Sequence, residues 1–341
     1  MSSIGASVAS DTQRDPLRGV SVVNSRAPLH VVIGPTAAGK STIAMQLADA
    51  RGLAIVSADS RQVYTGFDIG TAKPSRQDRA QVPHYGLDFV APTDRYSAHA
   101  WALDAERWMA KADAAQTPPL VVGGTGFYIR ALASPLDPMP SLQATRRREL
   151  EQWLATLDSI EVERWCRRLD PARAHLGRTQ HQRAIETSLL AGVRLSDAHR
   201  ASEDEAAATP GQTVTTVHRA VHYLVVDPGP TLAERIHARV HTMVDAGWFD
   251  EVARLMRAIP PEAPAWNASG YGTIRAGLEG TMTRDAVIER VIIETRQYAK
   301  RQRTWCRHQL RDGTVTQLNP NAPDALTRAL AWWDASSPEA A

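Results

Sequence analysis

Residues 34–41 constrain this chain more than any other segment, because they read Gly-Pro-Thr-Ala-Ala-Gly-Lys-Ser. They fit the pattern G-x-x-x-x-G-K-[ST] of a phosphate-binding loop (P-loop), in which backbone N–H groups surround a phosphate. The β-branched run Leu29–Ile33 precedes the loop and a helix-forming run at 42–48 follows it, which is the required strand–loop–helix order. In this context Lys40 is expected to neutralise a phosphate, and the Ser41 hydroxyl to bind Mg²⁺. The loop therefore predicts a phosphate or diphosphate ligand, and leaves open which one.

The charge balance limits the partners. The chain has 341 residues, with 39 Lys plus Arg against 37 Asp plus Glu. A purely electrostatic nucleic-acid binder would be more basic, so contact with a polyanion has to come from local clusters. The two cysteines, Cys166 and Cys306, lack the spacing of a metal site and are read as reduced thiols. No apolar run reaches the roughly 18 residues of a membrane span, and the N-terminus lacks an apolar signal core. We expect a cytoplasmic monomer without membrane contact.

Short apolar runs alternate with helical stretches along the first part of the chain. Runs at 29–33, 53–56 and 120–122 each end in a polar or Gly-rich turn, and a further strand is expected at 221–226. Such alternation predicts a parallel sheet, whose ligands gather beyond the carboxyl ends of the strands. The predicted fold class is α/β, a P-loop NTPase-like parallel sheet flanked by helices. The P-loop, Asp59 and Thr125 should then face one cleft.

A mostly helical insertion interrupts this α/β pattern. The expected organisation is a disordered leader, a core in two segments, the helical insertion, and a C-terminal helix with a tail: residues 1–27, 28–138 with 215–315, 139–214, and 316–341. Two long helices are expected in the second core segment, over 231–258 and 282–311. The insertion is read as a second wall over the cleft.

Two residues at the predicted sheet edge could do chemistry. Asp59 follows a strand, and its carboxylate could orient metal-bound water or act as a general base. A turn or helix-capping role is the alternative, and its position beside the P-loop favours the functional one. Thr125 presents a hydroxyl within the run Gly-Gly-Thr-Gly at 123–126, where the glycines could allow close approach of a ligand or only form a tight turn.

One predicted helix near the C-terminus carries a basic stripe. Its members recur at helical spacing on one face: Arg296, Lys300, Arg303 and Arg307. Tyr298 and Trp305 face elsewhere and are expected in the core. Arginines at 146–148 and 167–168 of the insertion add to the same positive field. A charge run is often only a solvated face, but clustering within a nearly neutral chain favours a polyanion such as a nucleic acid.

Together these segments resemble the bacterial tRNA dimethylallyltransferases, a family of tRNA isopentenyltransferases. The matching motifs occur in family order over about residues 29–310: residues 34–41, 59–64, 68–74, 83–84, 96–97, 123–125 and 295–305. The run Asp-Ile-Gly-Thr-Ala-Lys-Pro at 68–74 and the closing signature at 295–305 are far more specific than the P-loop alone.

The resemblance implies transfer of the dimethylallyl group of dimethylallyl diphosphate to N6 of adenosine 37, in tRNAs that read codons beginning with U. Asp59 would accept the proton from the amine, and Thr125 would hold Asp59, the diphosphate or both. Mg²⁺ on Ser41 would assist the leaving group. The diphosphate would be held by Gly34, Pro35, Thr36, Ala37, Ala38, Gly39, Lys40, Ser41, Thr42 and Arg239.

The resemblance also implies a tRNA surface, with the target adenine leaving its stack to enter a channel. The positions expected to contact tRNA are Asp59, Ser60, Arg61, Gln62, Thr125, Arg147, Thr179, Gln180, His181, Gln182 and Arg183, with Arg296, Lys300 and Arg303 of the stripe. Two departures affect this surface. Gln180 replaces a usual arginine, and the loop at 266–272 keeps only Gly-Tyr of the family pattern.

Two other functions fit parts of the pattern. A P-loop kinase or nucleotide hydrolase would use the same loop for ATP, but no apolar strand was recognised that ends in a metal-binding Asp with a catalytic neighbour. A non-catalytic RNA-binding protein with a relict P-loop is the second alternative, and intact Lys40, Ser41 and Asp59 argue against it.

Overall fold

A computed structural model describes residues 28–133, 142–198, 200, 219–280, 282–310 and 313–336. The expected leader at 1–27 lies outside the described residues, as do both ends of the expected insertion and the last five positions of the tail. Among the described helices, none is long and apolar enough to cross a membrane.

The centre of the fold is a six-stranded, wholly parallel sheet. Its strands are β1 Leu29–Ile33, β2 Ala54–Ala58, β3 His84–Tyr85, β4 Pro119–Gly123, β5 Val221–Val226 and β6 Gly313–Leu318, in the order β3-β2-β4-β1-β5-β6. All five residues of the central strand β1 are buried, because helices cover both faces of a parallel sheet. The predicted α/β class is confirmed.

The α-helices with both ends among the described residues are α1 Lys40–Arg51, α2 Arg76–Gln81, α3 Ala98–Ala114, α4 Gly126–Ala133, α5 Ala144–Thr156, α6 Ser159–Leu169, α7 Arg178–Ala191, α8 Leu232–Asp245, α9 Trp248–Met256, α10 Tyr271–Leu278, α11 Arg284–Gln309 and α12 Ala325–Ser336. Four of them cover the two faces of the sheet. Val32 packs with α1 and α12 on one face, whereas Val31 and Ile33 pack with α3 and α4 on the other. This division follows from the alternation of side chains along a strand.

The insertion is helical over its described residues and has a small core of its own. Helices α5, α6 and α7 bury Leu154, Val162, Cys166 and Ile185 against one another. A capping box starts α6, since the Asp158 side chain accepts from the Glu161 N–H and the Glu161 side chain accepts from the Asp158 N–H.

One sequence-based expectation about these elements is wrong, and two strands were not predicted. The single helix expected over 231–258 is broken, because α8 ends at Asp245 and Gly247 adopts a left-handed φ of 93° before α9 begins. Strands β3 and β6 were not anticipated. β3 has only two residues, and β6 is mostly polar and exposed, so neither shows the apolar pattern of a buried strand. The expected core boundary at 315 falls inside β6.

Candidate active site

The P-loop joins β1 to the N-terminus of α1 at the carboxyl edge of the sheet. Ala37 and Gly39 take left-handed φ values of 62° and 95°, which turns successive N–H groups toward one point, as a phosphate requires. Gly34 is required by close approach, because a Cβ at this position would lie 2.1 Å from the Val226 carbonyl oxygen. The predicted strand–loop–helix unit is therefore present.

Two cationic side chains meet at this loop. The Lys40 ammonium donates to the Pro35 carbonyl at 2.8 Å, and burial lowers its pKa to about 8, with the charge of Arg239 adding to the effect. Burial also lowers the pKa of the Arg239 guanidinium. Two desolvated cations side by side are unfavourable until an anion compensates them. This end of the cleft is therefore built for an anionic group.

We expect affinity for inorganic diphosphate to fall as the pH rises through about 8, since Lys40 is charged below that pKa and neutral above it. Titration calorimetry from neutral to alkaline pH measures this. In Lys40→Arg the guanidinium stays charged, so the alkaline decrease should disappear. An equal decrease in both proteins would show that another group titrates.

Gln302 of α11 ties the P-loop to the neighbouring turn, and sequence analysis did not single it out. Its Oε1 accepts from the Thr36 N–H at 2.7 Å, and its Nε2 donates to the Gly124 carbonyl at 2.9 Å. The side chain is 7 % exposed. The closing signature contains this residue, but its partners lie far back in the chain, so spacing alone gives no sign of the contact.

Asp59 comes directly after β2, and its carboxylate faces the cleft near both cations. Its negative charge acts on Lys40 and on Arg239, in each case favouring their charged forms. The Asp59 Oδ1 accepts from the Arg61 N–H at 2.9 Å, which fixes the turn that follows the strand. The carboxylate is therefore held beside the anion site.

Thr125 fixes the same turn from β4. Its Oγ1 accepts from the Ser60 N–H at 3.0 Å, and its N–H donates to the Ala58 carbonyl at 3.1 Å. Thr125 thus acts on Asp59 through the adjacent residue Ser60. This threonine was predicted to hold Asp59, the diphosphate or both, and the hydrogen bonds described here are to the turn that carries Asp59.

The prediction for Tyr298 is wrong, because this residue was expected in the core and instead lines the cleft. Its hydroxyl interacts with the Thr125 side chain, and burial, followed by the negative charge of Asp59, raises its pKa to about 12. The phenol is therefore a neutral hydrogen-bond donor. Trp305 packs against Gly126 and the core beneath α4, as expected.

The P-loop from Thr36 onward, Asp59, Gln302 and Tyr298 line one cleft of about 2000 Å³. Thr125 was predicted to face the same cleft but does not line it, because its side chain is turned to the Ser60 N–H behind Asp59. The P-loop, Asp59, Arg239 and Tyr298 form its polar end, and Val240, Met243 and Trp248 from α8 and α9 lie in the apolar core along its wall, each less than a tenth exposed. A cleft with an anion site and an adjoining apolar wall can take a ligand that carries a phosphate on an apolar group.

The described residues offer Mg²⁺ few ligands of their own. They contain no group of three or more His, Cys, Asp or Glu side chains that could hold a metal. Ser41 is exposed in the first turn of α1, and both it and Asp59 line the cleft. This donor set fits Mg²⁺ in the form that relies mainly on substrate phosphates and water.

The basic stripe on α11 is shorter than predicted. Arg296, Lys300 and Arg307 are exposed, but Arg303 forms a two-point ion pair with Asp227, at 2.9 and 2.5 Å, and donates to the Gly229 carbonyl at 2.6 Å. These contacts occupy Nε and Nη2, and the charge of Asp227 offsets the charge that Arg303 could offer to an RNA phosphate. Its tRNA contact remains a prediction.

The expected tRNA positions of the insertion divide into outward and inward side chains. Thr179, Gln180 and Arg183 are exposed on α7, whereas Gln182 is half-buried. His181 is 4 % exposed and its Nε2 lies 3.1 Å from the Ala174 carbonyl oxygen. The structure thus places His181 inside the insertion rather than on its surface.

Two further positions expected at tRNA are already engaged within the protein. Arg147 contacts Glu186 at 2.8 Å and Glu151 at 3.1 Å; burial raises the pKa of the Glu186 carboxyl, and the charge of Arg147 opposes this. Gln62 donates through Nε2 to the carbonyls of Thr71 and Ala72, both at 3.1 Å.

The fold and the site define a class. This is a P-loop α/β protein with a helical insertion, whose cleft joins an anion site, a carboxylate and an apolar wall. Models of the IPP transferase and isopentenyl transferase families match residues 62–309 and 27–83. The chain belongs to the IPP transferase family.

Relatives with known names agree over most of the chain. It is 41 % identical to a tRNA dimethylallyltransferase of Halorhodospira halophila, over 83 % of this chain and 91 % of the relative. It is 37 % identical to one of Rhizobium etli, over 83 % and 94 %. The fold is similar to that of a tRNA isopentenylpyrophosphate transferase from Staphylococcus epidermidis, with a TM-score of 0.62, 25 % identity, and coverage of 92 % and 100 %.

Proposed function

We propose that this protein is a tRNA dimethylallyltransferase, which moves the dimethylallyl group of dimethylallyl diphosphate to N6 of adenosine 37 in tRNAs that read codons beginning with U. The products are N6-(dimethylallyl)adenosine and diphosphate. The observation that carries the proposal is the carboxylate of Asp59 near the half-buried cations Lys40 and Arg239, in one cleft. The names of the curated relatives support the same reaction.

The chemistry follows from these groups. N6 of adenine attacks C1 of the dimethylallyl group as the C1–O bond breaks, and the bonding electrons leave with the diphosphate. Lys40, Arg239 and the P-loop N–H groups stabilise the charge that develops on that leaving group. Asp59 accepts the proton that N6 loses. The positions of Thr125 and Tyr298 support a role in holding Asp59 in place.

Mg²⁺ belongs to the proposal as a partner of the diphosphate. Ser41, with the diphosphate oxygens, would hold the ion. When bound, it would neutralise charge on the leaving group. Val240, Met243 and Trp248 provide the apolar wall against which the dimethylallyl group would pack.

The proposed tRNA surface combines the exposed part of the stripe with the outward face of α7. Arg296 and Lys300 are exposed and lie one helical turn apart. Thr179, Gln180 and Arg183 are exposed on the insertion. Single-stranded anticodon loops are the kind of RNA that proteins read by splaying out bases.

We expect Arg296→Gln with Lys300→Gln to weaken the salt dependence of tRNA binding. With fewer phosphate contacts, fewer counterions are released from the tRNA when the complex forms. The slope of log Kd against log salt should change by about 1 to 2. Filter binding at several salt concentrations measures it. The matched control is Arg254→Gln on α9 with Arg257→Gln at the C-cap of that helix, two exposed residues that carry the same total charge. Equal slopes of log Kd against log salt for the wild type and the α11 variant would show that the stripe is only a solvated face and does not contact tRNA.

A nucleotide hydrolase or kinase has less support. Asp227 does follow β5 directly, in the place where such enzymes carry a metal-binding carboxylate, a position that sequence analysis did not recognise. However, Arg303 and the Gly229 N–H engage both of its oxygens.

Labelled dimethylallyl diphosphate, Mg²⁺ and an unmodified tRNA test the proposal, with an identical tRNA carrying guanosine at position 37 as the control. Label on the adenosine tRNA alone is the expected result. ATP consumption without label on either tRNA would refute the transferase and favour the nucleotide enzyme.

A further inference from the structure

Glu251 of α9 is a buried carboxylate outside the groups used so far, with a relative exposure of 2 %. A buried carboxylate is unfavourable unless donors surround it. Its donors are the backbone N–H groups of Asp68 and Ile69, at 3.3 and 3.0 Å, and the hydroxyl of Tyr271 at 2.5 Å. The carboxylate thus spans from α9 to a loop that lies more than a hundred residues earlier.

Tyr271 of α10 completes this contact. Its hydroxyl donates to Glu251 and accepts from the Gly70 N–H at 3.0 Å. Burial, with the charge of Glu251, raises the pKa of the Tyr271 phenol, so it remains a donor. Glu251 and Tyr271, which we call the loop clasp, therefore bind three consecutive N–H groups, at residues 68–70.

Trp248 holds the same loop from another side. A Cβ on Gly70 would lie 2.2 Å from the indole ring, so the backbone packs directly on Trp248. Trp248 and Glu251 both belong to α9, whose direction is set by the break at Gly247. The helix break at Gly247, which was not predicted from the sequence, therefore brings both side chains to the loop.

The C-terminal end of the loop at residues 68–72 is hydrogen-bonded to the Gln62 side chain. Its Nε2 donates to the carbonyls of Thr71 and Ala72, both at 3.1 Å, and its Oε1 accepts from the Ser57 hydroxyl at 2.9 Å. Ala72 takes a left-handed φ of 48°, a conformation that needs support from its surroundings. Gln62 lies in the turn that begins at Asp59.

We propose that the loop clasp positions Asp59: it fixes the backbone of residues 68–72, and this loop holds Gln62 and thereby the turn at 59–62. The proposal rests on the proposed function, in which Asp59 is the base. Glu251 and Tyr271 are positioning residues, because they act on Asp59 through the loop and Gln62.

The kinetic test uses Glu251→Gln, whose amide offers one acceptor oxygen and turns its own N–H groups toward donors. We expect kcat for dimethylallyl transfer to fall about ten- to a hundredfold, as for a base displaced by a fraction of an ångström. The KM for dimethylallyl diphosphate should stay unchanged. Tyr271→Phe, a milder change, should act in the same direction. The double variant should lose less than the two single losses multiplied, because both act through one loop.

Val252→Ala is the control, since it removes buried methyl groups from the same helix and core but leaves in place the hydrogen bonds of Glu251 and Tyr271 to the loop. A kcat loss for Val252→Ala as large as that of Glu251→Gln, at an equal fall in Tm, would mean that the clasp only stabilises the fold.

Amide hydrogen exchange tests the coupling apart from activity. In Glu251→Gln and in Tyr271→Phe, exchange should rise in peptides covering both 68–72 and 59–65, and in Val252→Ala it should rise in neither. Faster exchange at 68–72 with no change at 59–65 would overturn the proposal. This readout needs no substrate, so it stands even if the wild type fails to transfer the dimethylallyl group.

Discussion

Asp59→Asn is expected to lower kcat for dimethylallyl transfer by about two to four orders of magnitude, the usual contribution of a positioned general base. The amide cannot accept the proton from N6, but its oxygen can still accept from the Arg61 N–H. The turn should therefore keep its shape, and affinity for tRNA should remain at the wild-type value. Single-turnover kinetics with labelled dimethylallyl diphosphate measure the rate, and filter binding measures the affinity.

The control is Asp113→Asn, an exposed carboxylate on α3. It should leave both quantities unchanged. A wild-type rate in Asp59→Asn would show that Asp59 is not the general base, and that it has only the turn-forming role that the sequence also allows. A loss of tRNA affinity equal to the loss of rate would make Asp59 a binding residue only.

Lys40→Ala is expected to raise the KM for dimethylallyl diphosphate and to lower kcat, by about two to three orders of magnitude in kcat/KM, as when a preorganised donor to developing charge is removed. The charge of Arg239 acts on the Lys40 ammonium, and under the proposed function this ammonium would interact with the diphosphate both before and after the C1–O bond breaks. Steady-state kinetics with tRNA saturating separate the two constants.

Lys111→Ala, which removes the same charge from the exposed face of α3, should change neither constant. Unaltered kinetics in Lys40→Ala would contradict a phosphate-binding role for the P-loop. A change confined to kcat would mean that Lys40 acts only on the transition state.

Much of the site was readable from local sequence. The P-loop, the turn that begins at Asp59 and the Gly-Gly-Thr-Gly turn each follow an apolar strand. A parallel sheet brings the carboxyl ends of such strands to one edge. The three were therefore predicted together, and they do meet there, because strand periodicity and turn chemistry act over a few residues.

Other parts of the site depend on partners that are distant in the chain. Gln302 binds the Thr36 N–H across 266 positions, and Glu251 binds the Ile69 N–H across 182. Arg303 was predicted to belong to an exposed basic stripe, but in the fold it forms an ion pair with Asp227, which follows β5. No pattern within a helix records what a neighbouring strand or loop presents to it.

The sequence by itself determined the α/β class, the P-loop, the position of Asp59 after β2 and the family, since each rests on short motifs whose chemistry is local. Only the tertiary structure decided that Tyr298 enters the cleft, that His181 turns inward, and that Gly247 breaks a helix and directs Glu251 to the loop at 68–70. The physical reason is that burial and hydrogen bonding of a polar side chain depend on groups that meet it only after folding.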